Sequence, residues 1–247
     1  LVDVSTGIFK GTQIIGETSL ESLKCEVATL GLAEVLLPGE EEWVSVDIEG
    51  TEWEGVFPDT TKLTWLKSLL FDPNVARERL CRHFKVTSLE GFGCHDRPML
   101  IGAAGAILNY LAQTQMTALE QLQPLSVYHL VDYMLLDKTT QRNLELTETW
   151  REHSFEGSLL AVLDRTKTAM GARLMREYLL RPLVNRGQIQ ERLDGVEELV
   201  KKGGLRFDLQ DYLTKVPDLE RLATKVATER TNPRELKALS EGLLFLP

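Results

Sequence analysis

Residues 135–146 read Leu135-Leu136-Asp137-Lys138-Thr139-Thr140-Gln141-Arg142-Asn143-Leu144-Glu145-Leu146, and the fold of the second half of the chain turns on them. Tyr133-Met134-Leu135-Leu136 is a short extended apolar run. Asp137 then stands where a helix cap belongs, because its carboxylate can accept from N–H groups that a first turn leaves unpaired. The pattern predicts a helix from there to Leu146. The same grammar recurs downstream. Thr168 precedes a helix whose Leu174, Met175, Tyr178 and Leu179 are expected to face inward, and Arg181-Pro182 ends it. Asn185 and Gln188 are spaced as a capping box. Ile189, Leu193, Val196 and Val200 follow on one face, and Gly203-Gly204 is expected to stop that helix. Pro217-Asp218 breaks and restarts the chain. Asn232-Pro233-Arg234-Glu235 caps a last helix with Leu236, Leu239 and Leu243 on one side. This half therefore reads as all-helical.

Working back toward the start, residues 99–111 read as a buried helix, and Met99 to Leu108 within it is the longest apolar stretch. Gly102, Ala103, Ala104 and Gly105 leave room there for a neighbouring backbone. Before it the signals alternate. Leu1 to Val4 is β-prone, Ser5-Thr6-Gly7 turns, and Ile8-Phe9 resumes as a hairpin. Thr18 and Glu21 are spaced as a capping box ahead of Leu20, Leu23, Val27 and Leu30, with Gly31 as the stop. Val35 to Pro38 reads as a buried strand, and Val44, Val46 and Ile48 as a half-buried one. Asp72-Pro73 opens a helix to about Phe84, proline being tolerated where its missing N–H costs nothing. The fold class expected is α+β multidomain: an α/β domain over residues 1–115, ending in a buried junction helix, then a mostly α-helical domain over residues 116–247. The composition shift itself falls between Gly91 and Thr117.

Composition narrows the function. The 247 residues are 43% hydrophobic and 26% charged, with a net charge of −9. A surface of that sign repels phosphate, so the segment is a poor main grip for nucleic acid. Cys25, Cys81 and Cys94 have no framework spacing, which suits a reducing compartment and predicts a cytoplasmic protein. No signal peptide is visible, and the start at Leu1 reads as trimmed. The apolar stretch is about half of what a bilayer crossing needs, so no membrane role is expected.

Three constellations invite chemistry. Cys81, His83, Cys94 and His95 are residue types that bind zinc, but their spacing matches no finger, and ordinary packing is the favoured reading. Asp3 and Asp47 lie on predicted strands. A metal-dependent nuclease needs several converging carboxylates, so Asp3 is read instead as bracing its own turn. Arg165, Lys167, Arg173, Arg176 and Arg181 could form a stripe near DNA. A solvated face paired with carboxylates such as Asp164 and Glu177 is the stronger reading.

The residues also carry a resemblance. The 135–146 stretch is similar to the "LD-x-x-T-x-RNLEL" signature of the MutS mismatch-repair family. Gly157-Ser158-Leu159-Leu160, then Leu163-Asp164-Arg165-Thr166-Lys167-Thr168-Ala169-Met170-Gly171-Ala172-Arg173-Leu174, resembles the next stretch of that family's core. Leu180-Arg181-Pro182-Leu183, Glu191 to Val196 and Pro217-Asp218-Leu219-Glu220-Arg221-Leu222 continue it in order. More loosely, Asp3 to Phe9, Ala33 to Pro38, Gly91-Phe92-Gly93 and Ala103 to Ala106 resemble the family's connector. The resemblance implies an RNase-H-like connector, truncated at its first strand, followed by a helical core truncated before the clamp. It implies a fragment of a protein that recognises mismatched DNA and couples ATP to repair signalling, with this segment transmitting conformational change. It makes Asp137, Arg142, Asn143 and Glu145 candidates for interdomain coupling. It also places a docking surface for the MutL partner on the helix bearing Glu78 and Arg79. ATP with Mg, mismatched double-stranded DNA and homodimer formation are expected through domains that this sequence lacks. It contains no G-x-x-x-x-G-K-[ST] loop, so no cofactor and no activity are expected of these residues themselves. The rival readings are a MutS-related interaction module outside repair and an RNase-H-like nuclease.

Overall fold

The computed structural model describes residues 1–40, 48, 51, 53–114 and 119–245. The expected strand through Val44 and Val46, with Asp47 beside them, lies outside the described residues. The chain divides into two compact units, Leu1–His129 and Leu130–Pro247. Together they mix strands and helices as an α+β chain.

The first unit begins with the expected hairpin. β1 (Val2–Asp3) pairs antiparallel with β2 (Ile8–Gly11), which pairs parallel with β5 (Ser126–Val127). β5 is too short to leave a periodic signal, yet it ties residues well past 115 to the first unit. A second, two-stranded sheet joins β3 (Glu34–Gly39) to β4 (Lys62–Lys67) in parallel, with Glu34 opposite Lys62 and Gly39 opposite Lys67. Asp3 braces the hairpin as expected: its Oδ1 accepts from the Ser5 amide at 2.8 Å and the Ser5 hydroxyl at 2.7 Å. α1 (Ser19–Leu30) ends on left-handed Gly31, but Thr18 makes no side-chain cap, because its backbone (φ −93°, ψ 15°) is not in the extended conformation that capping needs. Val27 is buried on this helix, while Leu20 is exposed.

α2 (Pro73–Phe84) and α3 (Pro98–Thr114) build the core. Asp72 accepts from the Asn74 and Val75 amides, and Pro73 occupies the first turn. Lys85 ends α2 in the left-handed region (φ 55°), while Val86 N–H reaches back to Cys81 O. That is a helix end normally given to glycine. Ala76 and Leu80 of α2 meet Ile101, Ala104 and Leu108 of α3 around Phe9, Leu89, Cys94, Leu122 and Leu125. Fully burying a leucine or phenylalanine contributes about 1.5–3 kcal/mol, so this cluster carries the unit. The glycines of α3 permit the approach. A Cβ on Gly105 would stand 2.4 Å from Ala76 Cβ, and one on Gly102 would stand 2.2 Å from Phe71 O.

The second unit is helical: α4 (Lys138–Asn143), α5 (Leu159–Leu163), α6 (Ala169–Leu180), α7 (Arg186–Lys201), α8 (Gly203–Thr214), α9 (Leu219–Ala227) and α10 (Pro233–Leu243). The caps foreseen in this half of the sequence form, except that the box expected at Asn185 and Gln188 closes on one side only, the Asn185 side chain accepting from Gln188 N–H. Asp137, Thr168, Asn185 and Asp218 accept from the expected first-turn amides, and Asn232 with Glu235 completes a reciprocal box. Gly203 and Gly204 do not merely stop α7; they open α8. The expected inward faces are only partly met. Among the described residues Leu146, Leu160 and Leu180 are the buried apolar side chains of this unit. Leu174, Tyr178, Ile189, Leu193, Val196, Val200, Leu236 and Leu243 are exposed instead. Their spacing fits an amphipathic stripe, but a stripe is buried only where a second surface covers it.

Candidate coupling and docking sites

The segment that decides the fold folds back on itself. α4 ends at Asn143, one turn before the expected Leu146. Glu145 adopts the left-handed conformation (φ 48°), and Leu146 N–H bonds Gln141 O at 3.2 Å. A left-handed residue closes the last carbonyls of a helix, and a glutamate there carries strain that glycine would not. Three further contacts hold the turn. The Glu145 carboxylate accepts from Trp150 N–H at 2.8 Å, and its carbonyl accepts from Leu159 N–H at 2.9 Å. Next to it, Leu146 O accepts from Leu160 N–H at 2.9 Å. The Arg142 guanidinium lies 5.9 Å from the Trp150 ring centre, within cation–π range.

Of the coupling candidates, Arg142 and Glu145 thus converge on Trp150, a residue that the sequence reading did not single out. Asp137 sits at the other end of α4 and accepts from the Thr140 amide at 2.7 Å and its hydroxyl at 3.1 Å. The Thr140 amide bond is the main reason its carboxyl is held below the ordinary aspartate value. Asn143 is the exposed last residue of α4. Just upstream, Tyr133 bridges Leu183 and Met134 N–H bonds Pro182 O at 2.8 Å, so the extended run is paired with the chain leaving α6.

Three members of the basic stripe, Arg165, Arg173 and Arg181, have specific partners. Arg173 Nη1 and Nη2 grip the two Asp218 oxygens at 2.7 and 2.8 Å, and Nη2 also reaches Glu220 Oε2 at 2.6 Å. Bidentate geometry of this kind is the strong form of the ion pair. It holds the Arg173 guanidinium far above its usual value and the Asp218 carboxyl below its own. Asp218 also caps α9 through Arg221 N–H. Arg165 donates to the Ala161 and Asp164 carbonyls, and Arg181 is buried with its guanidinium 5.9 Å from the Tyr133 ring centre. The carboxylates that grip Arg173 lie 45 and 47 residues away in the sequence.

The docking candidates part company. Glu78 is exposed on α2. Arg79 is half-buried and donates from Nη1 to Gly105 O at 2.9 Å, so it clamps α2 to α3. Burial, and then the Arg82 charge, push its guanidinium down. A carboxylate knot missed in the sequence ties the same unit. Glu34 accepts from Lys62 Nζ at 2.8 Å, Thr64 Oγ1 at 2.5 Å and Tyr110 OH at 2.9 Å, joining β3, β4 and α3. Burial pushes the Glu34 carboxyl up, and the three donors more than offset this and hold it below 4.5.

The zinc and nuclease readings gain no geometry. Cys94 is buried with its thiol on Leu89 O, and burial pushes its pKa up. His83 packs edge-on against Phe84 at 4.6 Å. Among the described residues no three His, Cys, Asp or Glu side chains gather as a metal site. The sequence holds no G-x-x-x-x-G-K-[ST] phosphate loop. No described helix is long and apolar enough to cross a membrane.

Both units have counterparts among known proteins. Residues 1–123 match the family model of MutS domain II, and residues 139–247 match that of MutS domain III. The chain belongs to the MutS family. It is similar to the DNA mismatch repair protein MutS of Synechococcus elongatus, at 41% identity over 99% of this chain and 28% of the relative. The MutS of Thermosynechococcus vestitus is 42% identical over 99% of this chain and 28% of its own length. That of Dehalococcoides mccartyi is 38% identical over 98% and 26%. The chain therefore spans roughly a quarter of the length of these MutS relatives. The two matched domains are a connector followed by a core, in the order that the sequence motifs imply.

Proposed function

We propose that this chain is a segment of a cytoplasmic DNA mismatch repair protein that recognises mismatched DNA and couples ATP binding and hydrolysis to repair signalling. In this reading the first unit is an RNase-H-like connector and the second is part of the core. The segment passes conformational change between domains and offers MutL a docking surface on the exposed side of α2 at Glu78. ATP, Mg²⁺, the mismatch and the homodimer contact belong to parts of the parent outside these residues. The observation that carries the proposal is the ordered match of both units to consecutive MutS domains at about 40% identity, with relatives named for mismatch repair. The 135–160 knot supports the coupling role: it fastens two helices through one strained residue, so a shift in either moves the other.

The test is a graft. The chain replaces its aligned segment in the Synechococcus elongatus MutS, and the chimera is expressed in a strain lacking MutS. The expected outcome is a spontaneous mutation frequency lowered toward that given by the intact relative. A well-expressed chimera that leaves the frequency at the null level overturns the proposal.

A further inference from the structure

We draw no further inference here: the strongest candidate, the exposed apolar stripe of Ile189, Leu193, Val196 and Val200 on helix α7 of the second unit, carries nothing because nothing in the structure shows what covers it.

Discussion

Asp218→Ala tests how much of the second unit rests on the Arg173 knot. Asp218 does two jobs, capping α9 through Arg221 N–H and gripping Arg173 with both oxygens. Loss of such a cap costs about 1 kcal/mol. The side chains of Arg173 and Asp218 are 30% and 18% exposed, so their pair is neither a surface pair nor a dry one. Discounted for that solvent access, and for the bond that Arg173 keeps to Glu220, the pair contributes about 1–2 kcal/mol. The sum is about 2–3 kcal/mol, which in hydrogen exchange is about a 30- to 150-fold faster opening. The amides of α6 and α9 report it, because the knot joins those helices, while α2 and α3 serve as internal controls. Asp218→Asn keeps an oxygen for Arg221 N–H and drops the charge, so it should show about half the loss. The effect has a pH sign as well. The folded carboxyl is depressed, so its contribution is full above the ordinary aspartate value of 3.8 and is lost as pH falls through the lower folded value. Exchange in α6 and α9 within about threefold of the parent for Asp218→Ala would refute the reasoning, since that is under about 0.7 kcal/mol.

In the first unit, Gly105→Ala puts a Cβ 2.4 Å from the Ala76 Cβ and 2.7 Å from the Ala76 main chain, so α2 and α3 must separate. Denaturant unfolding should show a loss of about 1–3 kcal/mol, only partly rescued by Ala76→Gly because the α2 backbone itself stays in the way. Tyr110→Phe removes one donor from the Glu34 carboxylate and should cost about 1 kcal/mol at neutral pH. Because the folded Glu34 carboxyl is depressed, the parent loses this contribution as pH falls below 4.5, and the gap between parent and variant should close in an acid titration of stability. A gap that persists unchanged below the folded pKa would show that the hydroxyl acts through packing alone.

Much of the fold was legible because caps are local. Asp72, Asp137, Asn185, Asp218 and Asn232 each bond an amide within three residues, so a few letters suffice to read them. The apolar run of α3 was equally plain. What escaped depends on distant partners. β4 is a strand because β3 lies beside it, with Glu34 and Lys62 28 positions apart, and β5 is only two residues long. Thr18 shows the converse: the right letters at the right spacing made no cap because the local backbone is not extended. α4 ended early because Glu145 accepts a left-handed conformation usually left to glycine, and the groups that hold it there come from Trp150 and Leu159. In the candidate sites, charge type was readable but pairing was not. Arg173 looked like a member of a stripe until its carboxylates appeared at the start of α9, and the bond from Arg79 to Gly105 O, 26 positions away, left no mark in the sequence.

The different positions of Glu78 and Arg79 on α2 make the docking role directly measurable. Binding of the purified chain to MutL is measured by surface plasmon resonance for the parent, Glu78→Lys and Arg79→Ala, with thermal unfolding run alongside. The expected results are measurable parent binding, at least a tenfold loss for Glu78→Lys with unchanged stability, and a lowered melting temperature for Arg79→Ala, because that side chain clamps α2 to α3. Parent binding that Glu78→Lys leaves untouched, or no binding by a folded parent, would contradict the assignment of this surface to MutL.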